Sequence, residues 1–135
     1  MKFDSQIIFM RAHFNMIINR LLIVEDEALT GMVLKIELQR AGFTVMGVVT
    51  NGKSAIEKTE CEKPDCILMD IRIAGNIDGI ETARLIKQKS DVPIIFMTGY
   101  AEESIKQRAL ALKPVDFLIK PIQSNDIVKI LKKVC

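Results

Sequence analysis

Two spacings of apolar residues alternate along the chain. Short runs that are apolar at nearly every position occur at Leu21-Leu22-Ile23-Val24, Phe43 to Val49, Cys66-Ile67-Leu68-Met69, Ile94-Ile95-Phe96-Met97 and Val115 to Ile119. Each has strand length, and continuous rather than alternating hydrophobicity is how a strand covered on both faces reads. Between them lie longer stretches with helical spacing. Residues 28–41 carry Leu29, Val33 and Ile36 before a stop at Gly42; residues 52–62 carry Ala55, Ile56 and Thr59 before Pro64. Residues 78–89 carry Ile80, Ala83 and Ile86 before Pro93, and residues 102–112 carry Ile105, Ala109 and Leu112 before Pro114. Residues 124–134 carry Ile127, Ile130, Leu131 and Val134, with Ser124 in position to cap the helix. Strand and helix thus repeat as β-α five times. That order predicts an α/β fold, a doubly wound five-stranded parallel sheet with helices on both faces.

Composition narrows this picture without redirecting it. The 135 residues suit one domain, and an apolar share of 49% excludes general disorder. Lys plus Arg is 19 against 17 acids, a net charge of +2, too balanced to argue for direct nucleic-acid binding. The longest uncharged stretch, Ala41 to Gly52, is far short of the roughly 20 residues of a membrane span, so no membrane insertion is expected. The 3 cysteines, Cys61, Cys66 and Cys135, have no metal-ligand spacing and cannot all pair, which fits reduced thiols and a cytoplasmic location.

In open parallel sheets, sites form at the carboxyl ends of the strands. The first strand ends in Glu25-Asp26, the third in Asp70, the fourth in Thr98-Gly99 and the fifth in Lys120-Pro121. Any one of these is an ordinary loop or capping residue; Asp26 could simply cap the helix at Ala28. Together they are three carboxylates, a hydroxyl and an ammonium at one edge. Two like charges about 4 Å apart cost on the order of 4 kcal/mol at an effective dielectric of 20, so the cluster calls for added positive charge. Oxygen ligands in an incomplete protein cage favour Mg²⁺ (Mn²⁺ as a substitute), and Lys120 adds a second cation suited to a phosphoryl oxygen. A carboxylate in such a place can act as a nucleophile and form an aspartyl phosphate.

Glu25-Asp26, Met69-Asp70, Asp78-Gly79, Thr98-Gly99 and Lys120-Pro121 resemble, in order and spacing, the receiver domain of two-component response regulators, the CheY-like family. The resemblance runs from Arg20 to Cys135 and implies a flavodoxin-like strand order, 2-1-3-4-5. It implies a phosphoacceptor and not an enzyme acting on a diffusible metabolite. Asp70 would take a phosphoryl group from a sensor histidine kinase or a histidine phosphotransfer protein. Asp26, Asp70 and the backbone carbonyl of Arg72 would hold Mg²⁺, with Glu25 acting mainly through water. Lys120 would neutralise phosphoryl charge, and Thr98 with Phe117 would form the conformational switch read by a downstream protein partner. Arg72 and Tyr100 would set the lifetime of the phosphorylated state. The lysine–proline bond is cis in most relatives.

Three features depart from the family pattern. Phe117 stands where many relatives have Tyr, so a switch relying on that hydroxyl is lost. Ala74 replaces a common proline in a loop one residue longer, Ile71 to Ile77, which predicts a looser loop. Pro114 replaces part of a common Gly-Ala turn and predicts a stiffer approach to the last strand. A haloacid dehalogenase-type hydrolase would need a second Asp where Arg72 stands, and a flavin site would not place Glu25-Asp26-Glu27 in its phosphate loop. A non-phosphorylated pseudo-receiver serving as an interaction module is the alternative that the complete site argues against.

Residues 1–19 fall outside the resemblance. Phe3, Ile7, Met10, Phe14 and Ile17 are spaced 4, 3, 4, 3, the seam of an amphipathic helix. Such a helix would pack on the domain or form a homodimer. Otherwise the segment is a tail preceding a start at Met16. His13, the only histidine, is a poor phosphohistidine candidate. If the sequence is a whole gene product, its stop after the last amphipathic stretch favours a stand-alone receiver over one piece of a hybrid kinase or longer regulator, or a shuttle of phosphate between histidine proteins.

Overall fold

The computed structural model describes residues 18–99 and 102–134. The N-terminal seam through Ile17, together with Tyr100 and Cys135, lies outside the described residues. Five strands, β1 (Arg20–Val24), β2 (Thr44–Val49), β3 (Cys66–Asp70), β4 (Ile94–Thr98) and β5 (Asp116–Ile119), alternate with α1 (Ala28–Arg40), α2 (Gly52–Glu62), α3 (Gly79–Lys87), α4 (Glu103–Leu110) and α5 (Ser124–Val134). All strand pairs are parallel, in the order β2-β1-β3-β4-β5.

Successive strand side chains point to opposite faces, and the two cores follow that period. Leu22, Val24, Ile67, Met69, Ile94 and Phe96 pack under α2, α3 and α4 against Ala55, Ile80, Ala83, Ile86 and Ala109. Leu21, Ile23, Cys66, Leu68, Ile95 and Met97 pack under α1 and α5 against Leu34, Leu38, Ile127 and Leu131. β3 and β4 are buried throughout and β1 everywhere except Arg20, as continuous apolar runs predict. The edge strands differ: Asp116 and Ile119 of β5 are exposed, and β2 is mostly half-buried, because each has a neighbour on one side only.

One helix turns a different apolar face to the sheet from the one that marked it in the sequence. The spacing of Leu29, Val33 and Ile36 marks α1 correctly as a helix, but Gly31, Leu34 and Leu38 are the residues turned to the sheet. Leu29, Val33 and Ile36 are 76%, 45% and 42% exposed. The cause is steric. A Cβ at position 31 would stand 2.7 Å from Val48 Cγ1, so the side bearing Gly31 can lie flush on the sheet. Ser124 is the first helical residue of α5 and not its cap; the Asp126 carboxylate reaches back to accept from the Gln123 amide at 3.4 Å.

The loop after β3 is tied down, contrary to the looser loop expected. Ala74 forms a parallel bridge with Asn51, and the Ile77 side chain abuts the backbone of Gly52. Asn51 also caps α2, its Oδ1 accepting from the Ser54 amide at 2.8 Å. At the other flank Lys113 adopts φ 53 ahead of Pro114, and the Val115 amide donates to the Ile94 carbonyl at 2.8 Å.

Candidate functional site

The parallel register sets the site. Val24 pairs with Met69, Asp70 with Met97 and Thr98 with Ile119, so β1, β3, β4 and β5 all end at one edge. The residues that follow β1 and β5, Glu25-Asp26 and Lys120, join Asp70 and Thr98 there. The Lys120 amide donates to the Thr98 carbonyl at 2.7 Å, and the Lys120–Pro121 bond is cis.

The Lys120 ammonium donates to Glu25 Oε1 at 2.5 Å and to Asp70 Oδ2 at 2.7 Å. The structure therefore brings two acidic strand ends onto one cation, where spacing in the sequence could show only that they share an edge. Glu25 is 1% exposed and Asp70 4%. Burial, with the Asp70 carboxylate alongside, pushes the Glu25 carboxyl above its ordinary range despite the opposing pull of Lys120. Burial by itself would pull Lys120 down, but its hydrogen bonds to Asp70 and Glu25 win and hold it above the ordinary lysine value. Asp26, by contrast, is exposed. Glu25, Asp26 and Asp70 each offer a carboxylate oxygen, all within 4.8 Å of one another.

Three carboxylates facing one ammonium leave a formal excess of negative charge. The donors are all hard oxygens, and exposed Asp26 opens the cluster to water. These residues could hold a divalent cation of the Mg²⁺ kind, which accepts few protein ligands and retains water.

The other expected residues are placed as follows. Arg72 is exposed, and its amide donates to Asp70 Oδ1 at 3.2 Å, fixing the carboxylate's orientation. Thr98 is buried at the end of β4. Phe117 pairs with Phe96, is half-buried, and packs against the core under α2–α4, away from the carboxylates. Tyr100 is outside the described residues.

The structure adds three contacts around the acceptor; Asp78-Gly79 belongs to the sequence motif, but what the pair touches did not follow from it. A Cβ on Gly79 would lie 2.0 Å from the Asp70 carbonyl oxygen, so only glycine lets α3 start against the acceptor's backbone. The Gly79 amide donates to the Ile71 carbonyl at 2.7 Å, locking that approach. Asp78 caps α3, accepting from the Glu81 amide at 2.8 Å, and its other oxygen meets Arg108 of α4 at 3.4 Å. The Asn51–Ala74 bridge completes the set. The helical stretches from 52 and 78 were legible in the sequence; what Asn51 and Asp78 touch across the fold was not.

The family model described as the response regulator receiver domain matches residues 21–132. The transcriptional regulatory protein PdtaR of Mycobacterium tuberculosis is 34% identical over 109 residues, 81% of this chain and 53% of that protein, so the chain spans about half of PdtaR's length. The chemotaxis protein CheY of Thermotoga maritima is 34% identical over 116 residues, 85% of this chain and 96% of that protein. Among solved structures, the signal receiver domain of a modulated diguanylate cyclase from Desulfovibrio desulfuricans G20 superposes with a TM-score of 0.80 at 34% identity, covering 85% of this chain and 91% of that one. Fold, strand-end chemistry and this match agree, and the chain belongs to the response regulator receiver domain family.

Proposed function

We propose that this chain is a phosphoacceptor in two-component signalling, with residues 20–135 as the receiver and residues 1–19 as an extension. The observation that carries the reading is the Lys120 ammonium bridging Glu25 and Asp70, with Asp26 beside them. Asp70 attacks the phosphorus of a phosphohistidine on a histidine kinase or phosphotransfer protein. An oxygen–phosphorus bond forms at a carboxylate oxygen, the phosphorus–nitrogen bond breaks, and the electron pair returns to the imidazole. Little covalent chemistry is asked of the protein beyond positioning and charge neutralisation.

Each residue then has a task. The Arg72 amide orients one Asp70 oxygen. Lys120 is held close enough to follow the charge from carboxylate to phosphoryl oxygen. Asp26, Asp70 and the Arg72 carbonyl, with Glu25 acting mainly through water, would hold Mg²⁺, which would supply positive charge to neutralise the phosphoryl group. The Thr98 hydroxyl bonds a phosphoryl oxygen, which draws the loop after β4 inward and lets Phe117 change rotamer. A downstream protein reads the changed surface. Arg72 and Tyr100 set the lifetime of the phosphorylated state.

The test is incubation with acetyl phosphate or beryllofluoride, with and without Mg²⁺, beside Asp70→Asn. A Mg²⁺-dependent, base-labile adduct in the parent chain alone is the expected result. No adduct and no beryllofluoride-induced spectral change would remove the proposal.

A further inference from the structure

α1 is apolar on two opposite sides. At about 100° per residue, Leu29, Met32, Val33 and Ile36 share one face, and Gly31, Leu34 and Leu38 lie roughly 180° away. The second set meets the sheet. The first leaves four large apolar side chains in solvent, with Leu29 76% and Met32 58% exposed. Adjacent exposed apolar side chains on a helix mark a surface that something covers. The ends of this surface carry opposite charge. α1 and α5 pack on the same side of the sheet, and each follows the carboxyl end of a strand, so both start at the carboxyl edge. At that edge the exposed acids are Asp26 and Glu27 ahead of α1 and Asp126 in the first turn of α5. At the far edge the exposed bases are Arg40 in the last turn of α1 and Lys132 and Lys133 in the last turn of α5. Arg40, about three turns after Leu29, ends the apolar line itself. Acid first and base last suits the dipole of each helix within one chain. The same arrangement makes the whole face complementary to itself.

We propose that the occupant of the stripe is the same stripe of a second copy of this chain, in an antiparallel pair with twofold symmetry. Such a pair uses one patch on both chains, so the molecule needs no separate complementary patch. With the axis passing between Met32 and Val33, Leu29 of each copy meets Ile36 of the other, and Met32 meets Val33. The apolar line is thereby covered along its length. Each acidic end then lies against a basic end, twice over, whereas a parallel pair would set acid on acid and base on base. Charge thus fixes the orientation and the apolar stripe supplies the contact. Four side chains per copy form a small patch beside the roughly 800 Å² that each partner of a standard interface buries, so the pair is a weak one. It also has a consequence for the carboxylate edge. The basic end of each copy comes to lie beside the acidic end of the other, next to Asp26.

The test is sedimentation equilibrium of the full chain, unphosphorylated and with a chelator present, from about 5 µM to about 500 µM, a range suited to a weak interface. The average mass of the native chain is expected to rise from monomer towards dimer, and that of Val33→Glu/Ile36→Glu to stay at the monomer. Two further variants act only at the charged ends and keep the test decisive should that one not fold. Arg40→Glu/Lys133→Glu and Glu27→Lys/Asp126→Lys are each expected to associate at least tenfold more weakly than the native chain when alone. Mixed in equal amounts they are expected to associate again, because mixing restores opposite charges at both ends of the seam. A native chain that stays monomeric throughout would overturn the proposal and leave the stripe to a different protein. So would a dimer that persists unchanged in every folded variant, which places the contact elsewhere, or end-charge variants that do not associate when mixed.

Discussion

Replacing Lys120 by methionine isolates the electrostatic core of the site. Methionine keeps most of the aliphatic stem and removes the ammonium that sits 2.5 Å from Glu25 and 2.7 Å from Asp70. Two ionised carboxylates no more than 4.8 Å apart then face each other, a repulsion of at least about 3.5 kcal/mol at an effective dielectric near 20. That exceeds two pKa units at about 1.4 kcal/mol each, so one carboxyl takes up a proton instead. The cost of the substitution must therefore depend on pH, and its sign is fixed. Lys120 is held above its ordinary value of 10.5, so its contribution is whole below that pH and is lost only as pH rises through the folded value. Between about pH 5 and about pH 8 the change belongs to the carboxylates. Glu25 is already raised above 4.5 in the parent, so folding favours its protonated form and loses stability as pH rises through the folded value. The variant raises that value further. Urea denaturation in the presence of a chelator should show Lys120→Met less stable than the parent by about 3 kcal/mol at the higher pH and by roughly 1 kcal/mol at the lower. A gap that stays the same at both pH values would refute the view that Lys120 relieves carboxylate crowding.

Other expectations follow from single contacts. Gly79→Ala drives a Cβ to 2.0 Å from the Asp70 carbonyl, and should cost about 3 kcal/mol or more in urea unfolding while slowing adduct formation, because the acceptor's backbone must shift. Asn51→Ala removes the cap on Ser54, and a loss of about 1 kcal/mol in the same assay is expected. Asp26→Asn, at an exposed position, should leave the melting temperature of the metal-free protein nearly unchanged and weaken Mg²⁺ binding at least tenfold by calorimetry. Arg72→Ala and Tyr100→Ala should each change the decay rate of the phosphoprotein without changing the circular dichroism spectrum; unchanged decay in both would exclude them as lifetime determinants.

The site was legible because chemistry in this fold gathers where strands stop. Each strand reads as an apolar run, so its first polar residue marks the carboxyl edge, and that rule alone found Glu25, Asp26, Asp70, Thr98 and Lys120. The rule says nothing about which groups bond. Nothing in the spacing told that Lys120, ninety-five positions from Glu25, would bridge it to Asp70, or that Gly79 is required by the carbonyl of the acceptor itself. The loop from Ile71 to Ile77 misled for the same reason. An added residue reads as slack until the Asn51 backbone is found pairing with it.

By itself, then, the sequence determined the β-α alternation, the all-buried character of β3 and β4 and the residues at the sheet's carboxyl edge, because these depend on local hydrophobic period and chain order. Only the tertiary structure decided which side of α1 meets the sheet. Both sides are apolar, the periodicity is the same for either, and the side that meets the sheet is the one bearing Gly31, where a Cβ would stand only 2.7 Å from Val48 Cγ1. Burial of edge strands, shared cations and close backbone approaches are likewise relations between distant segments, and exist only once the chain has closed on itself.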